Sequence, residues 1–337
     1  MNAPLRVGLI GAGWVTQHHL AAWQREAVRA RVVAIADPSL SHAQSRADAF
    51  DIPSVYADAQ SMFAREPLDA VDIASPRETH ALLVRLAASH GIPTLCQKPL
   101  APTFNAAAQL VADIAGIDGI DGMRLMVHEN WRFRPCYRQI AEWLRADRIG
   151  RVHQAQMTLL SAGLLPDARG VLPALERQPF IATLDRALVM EILIHHIDTL
   201  RFLLGEMAVA HARTGRHTGA LAGEDRATIV FETMAGATVL LLANLGVHGE
   251  PAALADQLTL IGERGTIRLR GHTLSREGER PDFHRYDMPR CYADSYAATI
   301  SHFIDALQSG SAFETSPDDN LRTLRLVEDI YAQNPPP

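Results

Sequence analysis

The 337-residue chain exceeds one typical domain, and 47% hydrophobic against 21% charged residues is an ordinary globular balance with ample material for a core. A net charge of −6 with no long basic run argues against a nucleic-acid or membrane-surface role. Three widely spaced cysteines, Cys96, Cys136 and Cys291, form neither a disulfide framework nor a Cys-x-x-Cys metal pair. Their use suits a reducing cytoplasm, and a first strand beginning at Leu5 leaves no room for a signal peptide.

In chain order, short β-rich runs predict strands at Leu5–Ile10, Arg31–Ala36, Ala70–Ala74, Thr94–Cys96 and Met123–Val127. Helical stretches lie between them at Gln17–Arg29, His42–Phe50, Glu78–His90 and Asn105–Ala115. This alternation implies right-handed βαβ units and a doubly wound Rossmann-type parallel sheet over residues 1–128. Residues 129–333 read as a second, α+β domain. Val152–Ser161 alternates, Ala162–Arg186 is irregular and carries three prolines, and an amphipathic helix over about Leu188–Leu204 ends at Gly205. Strand-like runs follow at Ala227–Thr233, Ala237–Leu245, Gln257–Ile261 and Thr266–Arg270, then two closing helices at Tyr292–Gln308 and Pro317–Gln333. Strands in series predict an antiparallel sheet.

Gly11-Ala12-Gly13-Trp14-Val15-Thr16 follows the first strand and opens a helix. Gly11 permits a tight turn, Gly13 lets backbone approach a pyrophosphate, and the helix N-terminus favours negative charge. Thr16 stands where a third glycine is expected. Asp37 ends the second strand, where an acid accepts hydrogen bonds from the adenosine ribose; no arginine follows in Pro38-Ser39-Leu40 to neutralise a 2′-phosphate. NAD is therefore expected over NADP. Ser75-Pro76 reads either as a second cofactor-side loop or as a simple turn.

Lys98, in Cys96-Gln97-Lys98-Pro99, is held at a strand end by stiff backbone. Glu191, His195 and Asp198 fall on one face of a single helix, with His196 turned about 100° away in a structural position. Trp131 and Arg132, in His128-Glu129-Asn130-Trp131-Arg132-Phe133-Arg134, read either as a polyol-binding wall or as an anchor in which Arg132 bonds backbone carbonyls.

These motifs, in this order and with His80, resemble the Gfo/Idh/MocA oxidoreductases, the glucose–fructose oxidoreductase and inositol dehydrogenase family. The resemblance runs nearly end to end, including Thr315-Ser316-Pro317-Asp318-Asp319-Asn320 before the last helix. Residues 96–99 and 128–133 also resemble the subgroup containing D-apiose dehydrogenases. The family implies a Rossmann domain, a C-terminal domain with an open, mostly antiparallel sheet that often forms the subunit interface, and NAD(P)-dependent oxidation or reduction of sugars and cyclitols. The mixed apolar and polar pattern of that sheet favours a dimer or tetramer. It implies that Lys98 contacts substrate and the nicotinamide ribose, that His195 exchanges a proton with the reacting oxygen, and that Glu191, in the place of an aspartate, orients substrate. The implied cofactor set is Gly11, Gly13, Trp14, Val15, Asp37, Ser75, Pro76, His80, Gln97 and Lys98; Trp131, Arg132, Glu191 and His195 face substrate. No metal is implied.

Two departures stand out: Gln97 replaces the usual glutamate and Leu193 the usual glycine. Losing the acid at 97 removes a negative charge that favours protonated Lys98. Three other readings remain open: a metal enzyme using Glu191, His195 and Asp198, a non-catalytic NAD-binding regulator, and an NAD-using glycoside hydrolase.

Overall fold

The computed structural model describes residues 3–115 and 123–334. The first sheet takes its strands from β1 (Leu5–Ile10), β2 (Ala30–Ala36), β3 (Ser54–Tyr56), β4 (Ala70–Ile73), β5 (Thr94–Gln97) and β6 (Leu125–His128). Their order is β3-β2-β1-β4-β5-β6 and every pairing is parallel. β4, β5 and β6 are buried at every position, as strands covered on both faces must be. Between the strands run α1 (Thr16–Arg25), α2 (Leu40–Phe50), α3 (Ala59–Arg65), α4 (Arg77–Ser89) and α5 (Phe104–Ala115). From β1 the chain builds outward to β3, then returns to place β4 on β1's other side. The C-terminal ends of β1 and β4 thus flank a topological switch point, where open α/β sheets bind ligands. Gly11 and Ser75 follow those two strand ends.

A turn of 3-10 helix, Trp131–Phe133, and α6 (Pro135–Arg145) lead into the second sheet. It comprises β7 (Val152–Leu160), β8 (Met207–Gly215), β9 (Arg226–Thr233), β10 (Thr238–Asn244), β11 (Asp256–Gly262), β12 (Gly265–Arg270), β13 (Thr273–Gly278) and β14 (Asp282–Arg285). The order is β14-β13-β12-β11-β7-β10-β9-β8, antiparallel except where β7 meets β10. Its strands alternate: Ile229, Phe231, Val239 and Leu241 are buried, while Val230, Leu240 and Leu242 on the opposite face are half-buried. The 162–186 stretch holds only a short helix, α7 (Pro173–Arg177), and a 3-10 turn at Pro179–Thr183. The expected single helix at 188–204 is a π-helical turn, Leu188–Leu193, continued by α8 (Ile194–Leu204). Helices α9 (Met288–Ser309) and α10 (Pro317–Gln333) follow β14.

The chain forms two compact units, but they do not divide once near residue 128. One comprises residues 1–133 and 292–324; the other comprises 134–291 and 325–337. The reason is burial: Tyr296, Ile300, Phe303 and Ile304 of α9 pack in one core cluster with Val7, Trp23, Leu95 and Met126. Among the described residues no helix is long and apolar enough to cross a membrane.

Candidate active site

In the first unit, the glycine turn has two different glycines. Gly11 has φ +108°, and a Cβ there would lie 2.6 Å from the Ala74 carbonyl, so only glycine fits. Gly13 has no such need: a Cβ would meet nothing within 4 Å. Its bareness leaves a cradle that a phosphate would fill. Thr16, at the third-glycine position, is buried, and its hydroxyl donates to the Gly13 carbonyl at 2.7 Å. The helix thereby accommodates a side chain by bonding it back to the turn. Asp37 accepts from the Ala12 amide through one oxygen and from the Ser39 amide through the other, each at 2.8 Å. Its carboxylate is thus locked beside the glycine turn, and these residues fit a dinucleotide. Val15 precedes α1 and packs on the core, whereas Trp14 is 42% exposed, with His18 edge-on at 4.8 Å.

Two loops close this edge of the sheet. The Ser75 hydroxyl bonds Thr79, and His80 spans the loops, one ring nitrogen 2.9 Å from the Ser75 carbonyl and the other 2.8 Å from the Pro99 carbonyl. Burial lowers the His80 pKa from the ordinary histidine value, against the two carbonyls, which raise it. His80 thus bridges the Ser75-Pro76 and Lys98-Pro99 loops, one ring nitrogen facing each. The Lys98–Pro99 peptide bond is cis. Gln97 accepts from the Lys98 amide at 2.7 Å and meets His19 at 3.1 Å.

The Trp131–Arg132 pair divides. The Trp131 ring is half-buried, 6.0 Å from Tyr292. Arg132 is 4% exposed and is bound to Asp319 at 2.7 Å, with the Glu314 carbonyl at 3.4 Å. A buried guanidinium held by a carboxylate fits the anchor reading of Arg132.

In the second unit, Glu191 is half-buried within the π turn and His195 is 9% exposed in the first turn of α8. Two buried networks fix them. Glu224 accepts from the Val189 amide at 2.9 Å and from the Tyr331 hydroxyl at 2.6 Å, while that hydroxyl receives the Met190 amide at 3.2 Å. These bonds occupy amides that the start of a helix leaves unpaired. Burial and the Glu224 carboxylate push the Tyr331 hydroxyl well above its ordinary value. Below the helix, Asp256 meets His196 at 2.9 Å, Tyr137 at 2.7 Å and Arg134 at 3.0 Å. Burial works against its ionisation, yet His196 and Arg134 hold its carboxyl well below the usual range. His196 is therefore structural, as expected, and its neighbour His195 inherits a fixed orientation. Glu224, Tyr331 and Asp256 carry no signal in the sequence; they lie far along the chain from the helix they hold.

The 162–186 loop contributes Pro173, Ala174, Arg177 and Ile181 to a cavity of about 260 Å³ that also touches Ile192. Ile192 adjoins Glu191 in the chain, but neither Glu191 nor His195 lines this cavity.

Comparison with known proteins agrees with this geometry. Residues 5–116 match the oxidoreductase family with an NAD-binding Rossmann fold, GFO_IDH_MocA, and residues 137–268 match the GFO/IDH/MocA C-terminal domain. The chain is 33% identical to a D-apiose dehydrogenase of Paraburkholderia graminis, over 96% of this chain and 86% of that one. It is 30% identical to inositol 2-dehydrogenase 4 of Saccharopolyspora erythraea, over 92% and 87%. A crystal structure of an oxidoreductase from Agrobacterium radiobacter in complex with NAD+, L-tartaric acid and magnesium superposes with a TM-score of 0.88 at 30% identity, covering 98% of this chain and 96% of that one. The chain belongs to the Gfo/Idh/MocA oxidoreductases, with an NAD-binding Rossmann domain followed by the family's C-terminal domain.

Proposed function

We propose that the protein is an NAD-dependent dehydrogenase of a sugar, cyclitol or related polyol, with Lys98, His195 and Glu191 as its catalytic residues. The observation that carries this reading is the open Gly13 turn locked to Asp37 on the same sheet edge as Lys98. The D-apiose and inositol dehydrogenases among its relatives supply the substrate class. When bound, NAD would supply the acceptor for a hydride from the carbinol carbon. Gly11 and Gly13 would hold its pyrophosphate, and Asp37 would accept from the ribose hydroxyls while its negative charge would disfavour a 2′-phosphate. Ser75, Pro76 and Gln97 would border the nicotinamide end, with His80 bridging their loops.

As hydride leaves carbon, the hydroxyl proton must leave oxygen. His195 takes it at an imidazole nitrogen, since a group with an ordinary pKa near 6.5 exchanges protons readily around neutrality. Lys98 stabilises negative charge developing on that oxygen, and Glu191 orients a neighbouring hydroxyl. Trp131 offers an aromatic face to the carbon side of the polyol.

The protein works in the cytoplasm as a homodimer or homotetramer. All three of its cysteines are buried as thiols, and Val230, Leu240 and Leu242 form an apolar row on the outer face of the second sheet. Following NADH formation across aldoses, cyclitols and their acids tests the activity. At least one polyol should give steady turnover; tight NAD binding with a flat response throughout would instead make the protein a regulator.

A further inference from the structure

Behind Lys98 lies a chain of buried polar groups that the proposed mechanism does not use. Asp72, on β4, is fully buried, and its Oδ2 receives the Trp23 indole N–H and sits 2.8 Å from His19 Nδ1. A carboxylate oxygen at that distance requires a proton on Nδ1. On the other side of the ring, His19 Nε2 lies 3.1 Å from the Gln97 side-chain nitrogen. Which end of the Gln97 amide faces His19 is decided by Lys98: its backbone N–H, a donor, lies 2.7 Å from Gln97 Oε1. Gln97 therefore presents its NH2 to His19, and Nε2 must be the acceptor. In this hydrogen-bond arrangement Nδ1 is the ring's donor and Nε2 its acceptor. The His128 ring, at 4.2 Å between centroids, and Tyr296, at 5.3 Å, pack on the same imidazole.

We propose that Asp72 and His19 are positioning residues that act through Gln97 on the Lys98 backbone, and that glutamine at 97 is what keeps His19 neutral. This rests on the reading of Lys98 as a catalytic cation. A glutamate at 97 would still accept from the Lys98 amide, but its second oxygen would face Nε2, and the ring between two carboxylates would take up a proton. Asp72, neutral His19 and Gln97 together carry one negative charge. Asp72, protonated His19 and a carboxylate in place of the Gln97 amide would carry one as well. The departure at position 97 thus costs Lys98 no net negative charge nearby. It removes one bound proton and leaves a relay with a single tautomer.

Imidazole 15N–1H correlation spectra of the full-length protein test the proposal, with His19 assigned by its loss in H19N. The wild type should show a neutral Nδ1–H ring and Q97E a doubly protonated one. A neutral Nε2–H or a charged ring in the wild type, or a neutral ring in Q97E, would overturn it. Q97M removes the acceptor for the Lys98 amide and should lower kcat on the order of 10²-fold, because small misplacements of a reacting group cost about that much. Q97E should recover at least about tenfold of the lost kcat, measured at saturating NAD so that any change in cofactor affinity does not enter. Equal kcat in Q97M and Q97E would also overturn it. If Q97M does not fold, the two spectra decide alone. Should the wild type oxidise no polyol, the proposed function fails while the spectra still report on the relay.

Discussion

His195 sits beside a histidine of a different kind, and the contrast between them defines the residue scale. His196 is fully buried between the Ile192 carbonyl and Asp256, so its ring is held at both nitrogens. His195, one step of about 100° around the helix, keeps 9% of its surface exposed. Replacing His195 with alanine should lower kcat by about 10²–10⁴, the usual worth of a positioned proton acceptor, with NAD affinity unchanged. Steady-state rates and an NAD titration check this, and wild-type turnover in the variant would remove His195 from the mechanism. Lys98 and His195 stand out in the sequence because a lysine before proline and a carboxylate–imidazole spacing are each local patterns. Arg132 was ambiguous for a physical reason: a guanidinium serves an anchor and a ligand equally well, and only burial against Asp319 separates them.

At the scale of elements, α8 is fastened by Asp256, which opens β11 and binds His196, Arg134 and Tyr137 together. Asp256→Asn should destabilise the protein by about 3–5 kcal/mol at pH 7, since it strips a buried ion pair of its negative partner. The sign of the pH dependence follows from the lowered carboxyl. Its stabilisation is fully present above the unfolded value of about 3.9 and is lost as pH falls below that toward the native value. The gap between wild type and variant should therefore narrow on acidification from pH 7 to pH 3, as read by urea midpoints; a constant gap would mean that the ion pair contributes nothing. Period and propensity located the parallel strands to within a residue or two. They could not reveal the π turn, because six residues are too few to separate its period from 3.6 per turn. β3 spans only three residues, and α6 was masked by Pro135, which reads as a breaker but occupies the first helical turn, where its missing N–H costs nothing.

At the scale of the molecule, the second sheet has one face in the core and another bearing Val230, Leu240 and Leu242 half-buried among polar neighbours. If that face joins subunits, a charge in its middle should separate them without touching the fold. Leu240→Glu should shift the mass measured by light scattering to that of a monomer while leaving far-ultraviolet circular dichroism unchanged. Retention of the wild-type mass would place the interface elsewhere. The sequence pointed to two domains and their classes, yet not to the return of α9 to the first unit. That return depends on which apolar helix face finds which strand, and periodicity reports only that such a face exists.

The return of residues 292–324 also sets a timetable. A chain emerging from the ribosome presents β1 to β6 early, but Tyr296, Ile300, Phe303 and Ile304 arrive only after the whole second sheet has been made. At ~5–20 residues per second, synthesis leaves the nucleotide-binding half waiting roughly 10–40 s for the helix that completes its core. The unit that begins first thus waits for residues made after 134–291, and through that interval the apolar surface around Val7, Trp23 and Leu95 lacks the helix that covers it.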